Sequence, residues 1–276
     1  MKKSTPERTC SMNPVALYFA YGSLSLKALF AFRIDAVLRT LAVFVREFAS
    51  VIVVYLILQR FPDLGGWNMN EVLFLFSFLF LTYAIMIALF TGFRDFDMIV
   101  NSGKLDLLLI RPRGTMFQLM AYNSDYLATL GHGAVGITLL VWSAQAVGIV
   151  WNPARVAFLL LTLVSGVLIQ GAIFVAFSCL SLWFGKSGNV FRALYRNSRK
   201  IAGYPLSIFP DAVRSIVLYI MPFAFVNYFP AAWLLGKTDG FWPGLPFLSW
   251  LIGPLLFALA YVLWRFSLLR YSSTGH

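Results

Sequence analysis

The chain has 276 residues, of which 60% are hydrophobic and only 12% are charged. Globular proteins are typically about 45–50% apolar and about 25% charged, so this composition excludes an ordinary water-soluble domain. The net charge of +11 would suggest a nucleic-acid partner for a soluble chain, whereas in a membrane protein the positions of the charges decide their meaning. The two cysteines, Cys10 and Cys179, lack further ligands at metal-binding spacing, which argues against a zinc site or a disulfide scaffold.

The N-terminal 40 residues are predicted to stay on the cytoplasmic side. The first dozen residues are charged, without the apolar core and cleavage site of a removable signal peptide. From Leu26 to Leu41, apolar residues recur at three- and four-residue steps, which predicts an amphipathic interface helix. Alternatively, the first membrane span starts early and the long side chains of Arg39 and Arg46 reach back to the interface.

Apolar stretches about as long as a helical membrane crossing, or longer, fill most of the remaining chain. There are six of them: residues 41–59, 71–91, 116–150, 154–184, 212–235 and 247–268. They are continuous rather than alternating, which favours helices over the strands of a membrane barrel. The third and fourth exceed one bilayer thickness, so each must tilt, break or project. The predicted fold class is therefore an all-α membrane protein, with six transmembrane helices in residues 41–268 and a cytoplasmic tail at 269–276.

The distribution of basic residues predicts the orientation of these spans. Of 22 Lys and Arg, 18 fall in the N-terminal region, the second-to-third loop, the fourth-to-fifth loop and the tail. Cytoplasmic segments retain positive charge during insertion, so both ends are predicted to be cytoplasmic, in a bacterial plasma (inner) membrane. The opposite loops are short, leaving no large external domain to bind a ligand. A partner on the cytoplasmic side is therefore expected.

The loop between the second and third spans is organised enough to be a docking element. Phe93, Phe96, Ile99 and Val100 recur on one helical face, and Gly103 is predicted to stop that helix. The segment 104–112 that follows is too charged at its ends to be a span and too apolar to be a free loop. It either packs under the helix bundle or forms a short coupling helix on which a soluble motor pushes.

The loop between the fourth and fifth spans, Gly185 to Pro205, carries five basic residues and no acidic ones. It is interpreted as a solvated face near anionic lipid headgroups, or as a second contact for a cytoplasmic partner. Four prolines follow within 26 residues and predict that the fifth span is kinked or broken. They are Pro205, Pro210, Pro222 and Pro230. Such a break marks either a moving element or a static kink.

Two tripeptides resemble part of a phosphate-binding loop, Gly185-Lys186-Ser187 and Gly236-Lys237-Thr238. Each lacks the glycine five residues earlier, where Leu180 and Ala231 stand, and neither links a strand to a helix. This chain is therefore predicted to bind no cofactor, and nucleotide energy must come from another subunit. With two histidines in total, histidine-based metal catalysis is also hard to build, so the chain is not expected to be an enzyme.

Asp125 and His132 are ionisable residues in the third apolar stretch, seven positions apart and so on nearly one helical face. Such groups at membrane depth often mark transport routes or proton relays. The favoured interpretation is a buried structural pair, or placement at the interface within reach of Arg111 or Arg113.

Two further sequence runs complete a resemblance that begins with the six spans and the segment Gly103 to Pro112. They are Tyr204 to Phe209 and Met221 to Ala231. Over residues 20–270, the chain resembles a permease subunit of ABC type-2 (ABC-2) transporters. The resemblance implies two cytoplasmic ABC ATPase subunits carrying ATP and Mg, a second permease as homodimer or related heterodimer, and alternating access driven by ATP.

The resemblance also implies roles for particular residues. The segment from Arg94 to Pro112 corresponds to the ATPase-coupling element, with the predicted coupling residues Arg94, Asp97, Gly103, Lys104, Leu105, Asp106, Arg111 and Pro112. A substrate path is predicted to include Asp125, His132, Pro222 and Asn227. The aromatic content of 17%, rather than the resemblance, leads to the expectation of a lipophilic or amphiphilic cargo. The alternatives are a proton-coupled secondary transporter using Asp125 and His132, or a membrane scaffold or sensor without transport.

Overall fold

A computed structural model describes most of the chain, and its fold is helical, as predicted. The described residues are 13, 16–18, 20–23, 33–60, 63–121, 124–184, 188–238 and 241–271. Within these ranges there is no strand. Residues 16–18 and 20–23 are helical. The helices after them are α1 (Arg33–Arg60), α2 (Met69–Arg94), α3 (Phe96–Asn101), α4 (Lys104–Leu109), α5 (Thr115–Ala121), α6 (Tyr126–Val147), α7 (Pro153–Phe184), α8 (Gly188–Ala202), α9 (Asp211–Ser215), α10 (Tyr228–Leu234) and α11 (Leu245–Leu269).

Five of these helices are long and apolar enough to cross a membrane: α1, α2, α6, α7 and α11. Because consecutive helices cross the bundle in opposite directions, each connecting segment lies at one of its two ends. We call the end that carries α3 and α4 the α3–α4 face, and the end that carries the turn between α1 and α2 the Gly65 face. At the Gly65 face, Asn68 caps α2 by accepting from the Glu71 backbone N–H at 3.1 Å, while the Glu71 carboxylate accepts from the Asn68 N–H at 2.7 Å.

Two glycines on α6 permit close packing against neighbouring helices. A Cβ at Gly131 would lie 2.8 Å from the Val43 side chain of α1, and one at Gly136 would lie 2.9 Å from the Leu81 side chain of α2. Small residues at such crossings let helix backbones approach where lipid supplies no hydrophobic driving force. The glycines of this apolar stretch therefore fix α6 between α1 and α2.

The first and third predicted spans do not each correspond to one helix with the predicted bounds. Helix α1 begins at Arg33 and continues to Arg60 without a break. This fits a first span that starts early. Residues 26–32 of the predicted interface helix lie outside the described residues. The long third stretch, residues 116–150, is broken into α5 and α6, which is one of the three expected ways of fitting it to the bilayer.

The predicted cytoplasmic loop from Gly185 to Pro205 requires a correction, because its described part crosses the bundle as α8. Gly188 lies directly against Asp97 at the α3–α4 face. Halfway along, the Tyr195 hydroxyl donates to Gln170 in the middle of α7 at 2.6 Å. Beyond the end of α8, the Ser207 hydroxyl donates to the Gly65 carbonyl at 3.0 Å. The basic segment therefore leads from one face to the other.

The predicted fifth span, residues 212–235, is broken as the prolines predicted, but it does not make a full crossing. Its two arms, Asp211–Ile220 and Phe223–Leu234, are bent by 72° about Pro222. Ser207 before the pair and Lys237 after it both bond carbonyls of the Gly65–Gly66 turn. The pair therefore enters and leaves at the Gly65 face, and its apex at Phe223 packs on Tyr195. It is a re-entrant hairpin, and α8 takes the place of the missing crossing.

Moving the fifth crossing to α8 preserves the number of spans and both predicted end positions. It removes Arg192, Arg196, Arg199 and Lys200 from the loop charge. The remaining basic residues still divide 14 to 4 between the two faces when Arg214 is counted at the Gly65 face. The charge asymmetry therefore continues to predict a cytoplasmic α3–α4 face.

Candidate functional site

Ion pairs join the predicted coupling segment to the membrane helices. Arg94 at the end of α2 forms a two-point contact with Asp95, at 3.0 and 2.8 Å. Asp97 on α3 accepts from both terminal nitrogens of Arg192 on α8, at 2.5 and 3.2 Å. Bidentate contacts of this kind fix orientation as well as distance. The Asp97–Arg192 contact therefore ties α3 directly to the base of α8.

Helix α4 is held against the bundle by its apolar face. Gly103 adopts the left-handed conformation, with φ +68°, at the turn from α3 into α4, as its predicted stop role requires. Leu105 and Leu108 are buried. The Gln118 amide donates to the Leu108 carbonyl at 2.9 Å and to the Arg113 carbonyl at 2.8 Å, so α5 clamps the end of α4.

The opposite side of α3 and α4 is exposed and apolar, with basic residues beside it. Met98, Leu107 and Leu109 are exposed, and Ile110 is 80% exposed. Lys104, Arg111 and Pro112 are exposed as well. We call this the docking surface, defined by Met98, Lys104, Leu107, Leu109, Ile110, Arg111 and Pro112. Leu105 and Leu108 thus pack under the bundle, as one interpretation of the segment predicted, while their neighbours point away from it.

The end of the last helix lies beside α4. Tyr271 follows α11 and neighbours Asp106 on α4. Burial and the Asp106 carboxylate raise the pKa of the Tyr271 phenol above its ordinary value. The phenol therefore stays neutral at physiological pH, and the C-terminal end of α11 lies on the same face as the coupling segment.

Asp125 and His132 do not contact each other, because each turns toward α1. Asp125 caps α6 by accepting from the Ala128 backbone N–H at 3.2 Å, and it pairs with Arg39 at 2.9 Å. Arg39, rather than Arg111 or Arg113, is thus its basic partner. The ion pair fastens the start of α6 to α1.

His132 belongs to a separate cluster in the bundle interior. Its Nδ1 lies 2.7 Å from the Ala128 carbonyl and therefore carries a proton. Its Nε2 lies 3.2 Å from the carboxylate of Glu47, which also pairs with Arg46 at 2.8 Å. Sequence reasoning missed Glu47, although a carboxylate inside an apolar span is itself a functional signal.

A cavity of about 480 Å³ opens beside this cluster. Residues of helices α1, α2 and α8 line it, and we call it the α1–α2–α8 cavity. Its lining combines aromatic or aliphatic side chains with basic ones: Arg46, Glu47, Ser50, Phe76, Leu79, Phe80, Tyr83, Arg196, Arg199 and Lys200. The guanidinium of Arg199 stacks on the Tyr83 ring at 3.7 Å. The signal for this wall was the helical spacing of the basic residues on 188–202, which the loop interpretation overlooked.

Pro222 and Asn227 lie on the re-entrant hairpin, on another side of α8. Pro222 stands at the 72° bend. Asn227 is fully buried, and its side-chain amide donates to the Ala202 carbonyl at the end of α8 at 2.7 Å. The four predicted path residues thus fall in three places: the α1–α6 contact, the Glu47 cluster and the hairpin.

With this architecture in view, a comparison with protein families decides the relationship. A family model described as ABC-2 family transporter protein matches residues 44–275. The chain belongs to the ABC-2 transporter family. The match runs from α1 through the tail and so includes α3, α4, α8 and the hairpin. Searches of curated proteins and of solved structures gave no match.

As an ABC-2 permease, the protein is a multi-pass membrane subunit of an ABC transporter, and its family works with an ABC ATPase subunit. The resemblance carried by residues 103–112, 204–209 and 221–231 is thereby confirmed. One of those runs, residues 204–209, lies in the turn just after α8, and another, residues 221–231, lies in the re-entrant hairpin.

Proposed function

We propose that this chain is the permease of an ATP-driven exporter in a bacterial plasma membrane. Two ABC ATPase subunits dock on its cytoplasmic α3–α4 face, and a second permease, identical or related, completes the transport path. ATP and Mg are held by the ATPase subunits. The family membership and the docking surface support this assignment.

The observation that carries the proposal is the mechanical connection at Asp97. Leu107, Leu109 and Ile110 expose apolar side chains toward the solvent side of α4, where an unpartnered apolar patch favours a protein contact. Behind that surface, Asp97 is tied to Arg192 by two hydrogen bonds. Force applied to α3 and α4 therefore reaches α8, and through Asn227 it reaches the re-entrant hairpin.

This connection accounts for coupling without a nucleotide site in the permease. Closure of two ATPase subunits moves the α3–α4 segments of two permeases relative to each other. Packed helices resist continuous deformation, so a small displacement of α3 is expressed as a rigid movement of α8. Alternating access follows when α8 and its hairpin change position relative to α1 and α2.

Co-purification after a single surface substitution tests the proposal. Ile110→Asp places a charge in the docking surface, and we expect loss of the co-purifying ATPase while the permease remains folded. Val150→Asp is the matched control, because Val150 is also an exposed apolar residue, 73% accessible, but lies after α6 at the Gly65 face. ATPase recovery and transport by reconstituted vesicles are measured for both variants.

Two outcomes oppose the proposal. Equal ATPase recovery with Ile110→Asp and Val150→Asp would show that α4 is not the docking element. Transport by the purified chain that continues without any ATPase, and collapses with the proton gradient, would favour a secondary transporter using the Glu47–His132 contact instead.

A further inference from the structure

The α1–α2–α8 cavity has an excess of positive charge that the protein itself does not neutralise. Arg46, Arg196, Arg199 and Lys200 line it, against the single carboxylate of Glu47. That carboxylate is already engaged by Arg46 and His132. Among the described side chains, no carboxylate lies within ion-pair distance of Arg196 or Lys200.

Arg199 has an N–H group that is free to donate a hydrogen bond to a bound ligand. The central carbon of its guanidinium lies over the Tyr83 ring, 3.7 Å from the ring centroid, which restrains the side chain. Its Nε is buried and has no hydrogen-bond partner among the described groups. A buried donor without an acceptor is costly unless something else supplies one.

These cations lie at membrane depth rather than at a headgroup surface. Tyr195, the neighbour of Arg196, bonds Gln170 near the middle of α7. The exposed side chains of Arg196 and Lys200 therefore border either lipid chains or a polar path. Basic residues in a membrane span typically face a cavity through which a ligand or ion passes.

The remaining wall of the cavity is apolar. Phe76, Leu79 and Phe80 of α2 line it, so a guest meets hydrocarbon and aromatic surface on one side and guanidinium groups on the other. The volume of about 480 Å³ falls within the range typical of small-molecule sites. A phosphate or carboxylate complements guanidinium groups in both charge and geometry.

We propose that the α1–α2–α8 cavity binds an anionic amphiphile, with its phosphate or carboxylate at Arg196, Arg199 and Lys200 and its apolar part along Phe76 and Phe80. This inference deepens the proposed function by assigning a substrate class to the permease. A cationic aromatic guest is disfavoured, because Arg199 occupies the face of Tyr83 and Glu47 is already paired.

Direct binding to the purified full chain in a neutral maltoside detergent tests the proposal without the ATPase. The probes are dodecyl phosphate, dodecanoate and dodecyltrimethylammonium, which share an alkyl chain and differ in head charge. We expect the two anions to bind, and the cation to bind at least on the order of tenfold more weakly. Because no ATPase is present, failure here is distinguishable from failure of the exporter assignment.

Substitutions locate the binding. Arg196→Gln and Arg199→Gln are each expected to weaken dodecyl phosphate binding on the order of tenfold, whereas Arg199→Lys retains most of it. Arg196 is exposed and has no ion-pair partner among the described residues, so its variant reports binding even if Arg199→Gln disturbs folding. Arg265→Gln, which removes an exposed cation from α11, is the control and should bind normally.

A second experiment, in phosphatidylcholine nanodiscs containing phosphatidic acid, distinguishes a membrane lipid from a free amphiphile as the bound anion. Retention of phosphatidic acid in native mass spectra, lost in Arg196→Gln, supports a membrane-lipid headgroup. Binding of dodecyl phosphate without that retention supports a free amphiphile. Equal binding of the anionic and cationic probes, or anion binding unchanged in both Arg196→Gln and Arg199→Gln, would overturn the proposal.

Discussion

Helices α7 and α8 follow one another in the chain and cross the same bundle, but they are built in opposite ways. Helix α7 has 32 mostly apolar residues, and its one charged side chain is Arg155 in the first turn. Helix α8 has 15 residues with four basic side chains and no acidic one. Yet Tyr195 of α8 bonds Gln170 of α7 at the middle of both helices, so the two lie side by side.

The difference shows that a crossing helix needs an apolar surface only where it meets lipid. Helix α8 buries Tyr195, Ser198 and Ala202 against the bundle and turns Arg196, Arg199 and Lys200 toward the α1–α2–α8 cavity. Arg192 is compensated by Asp97 at the helix base. Polarity that would exclude an isolated helix from the bilayer is thus accommodated by ion pairing, by aromatic stacking and by the cavity.

Of the substitutions that test this difference between α7 and α8, adding a charge to α7 is expected to reduce the folded yield most. Val175 is fully buried, and Val175→Arg adds an unpaired cation at a cost of about 2.5–3.5 kcal/mol for insertion alone, with overpacking in addition. We expect almost no monodisperse protein by size-exclusion chromatography. Arg196→Leu, at a similar depth on α8, should leave the folded yield unchanged. Equal yields from Val175→Arg and wild type would contradict the claim that α7, unlike α8, cannot accommodate a cation.

Breaking the Asp97–Arg192 pair should have the next largest effect. The pair is partly buried, with side chains 14% and 27% exposed, so we expect Arg192→Asp to cost about 1–3 kcal/mol and to lower ATP-driven transport roughly tenfold. The exchange Asp97→Arg with Arg192→Asp should recover much of both. Arg214→Ala is the matched control, because its ion-pair partner Asp211 is 95% exposed. A double exchange no better than the single variant would argue against a direct contact.

Removing the link between α8 and the hairpin should have a smaller effect. Asn227→Ala deletes the hydrogen bond to the Ala202 carbonyl and leaves that buried acceptor unpaired, which costs about 1–3 kcal/mol. Thermal unfolding monitored by intrinsic fluorescence should shift to lower temperature. Transport per ATP hydrolysed should also fall, since the hairpin no longer follows α8. A stable variant with normal coupling would limit the hairpin to a passive role.

The smallest expected effect is a difference in stability between alanine variants of two neighbouring glycines at the Gly65 face. Both have positive φ, +62° at Gly65 and +88° at Gly66, so an alanine at either position costs about 1–2 kcal/mol in backbone strain. A Cβ at Gly65 also overlaps the Ser207 side chain, whereas one at Gly66 meets no atom within 4 Å. Gly65→Ala should therefore be the less stable variant. Equal melting temperatures would place Ser207 away from Gly65.

Much of the fold follows from local chemistry that a sequence displays directly. Continuous apolar runs predicted α2 and α7, Gly103 predicted a turn, and Pro222 predicted a break. The identity of α8 depended instead on partners distant in the chain. Five basic residues without an acidic one are typical of a cytoplasmic loop, and only Asp97, 95 positions from Arg192, shows how the helix base is neutralised.

The candidate site was predictable to a similar extent. The segment from Arg94 to Pro112 was recognised as an organised element because its residues are contiguous and its pattern is local, and its coupling role stays a prediction. The α1–α2–α8 cavity was missed because Glu47, Tyr83 and Arg199 come from three separate helices. The ion-pair partner of Asp125 was missed for the same reason: the sequence pointed to Arg111 and Arg113, which are nearby in the chain, whereas Arg39 forms the pair in the fold.

Cysteine labelling at the two ends of α8 tests the central claim that this basic helix crosses the membrane. Asn189→Cys and Ser207→Cys, both at exposed positions, are made after replacing Cys10 and Cys179 by serine. Cells are treated with a membrane-impermeant maleimide before and after permeabilisation. We expect Ser207→Cys to react in intact cells and Asn189→Cys to react only after permeabilisation. Labelling of both positions only after permeabilisation would place the whole segment on one side, as a cytoplasmic loop, and would contradict the account.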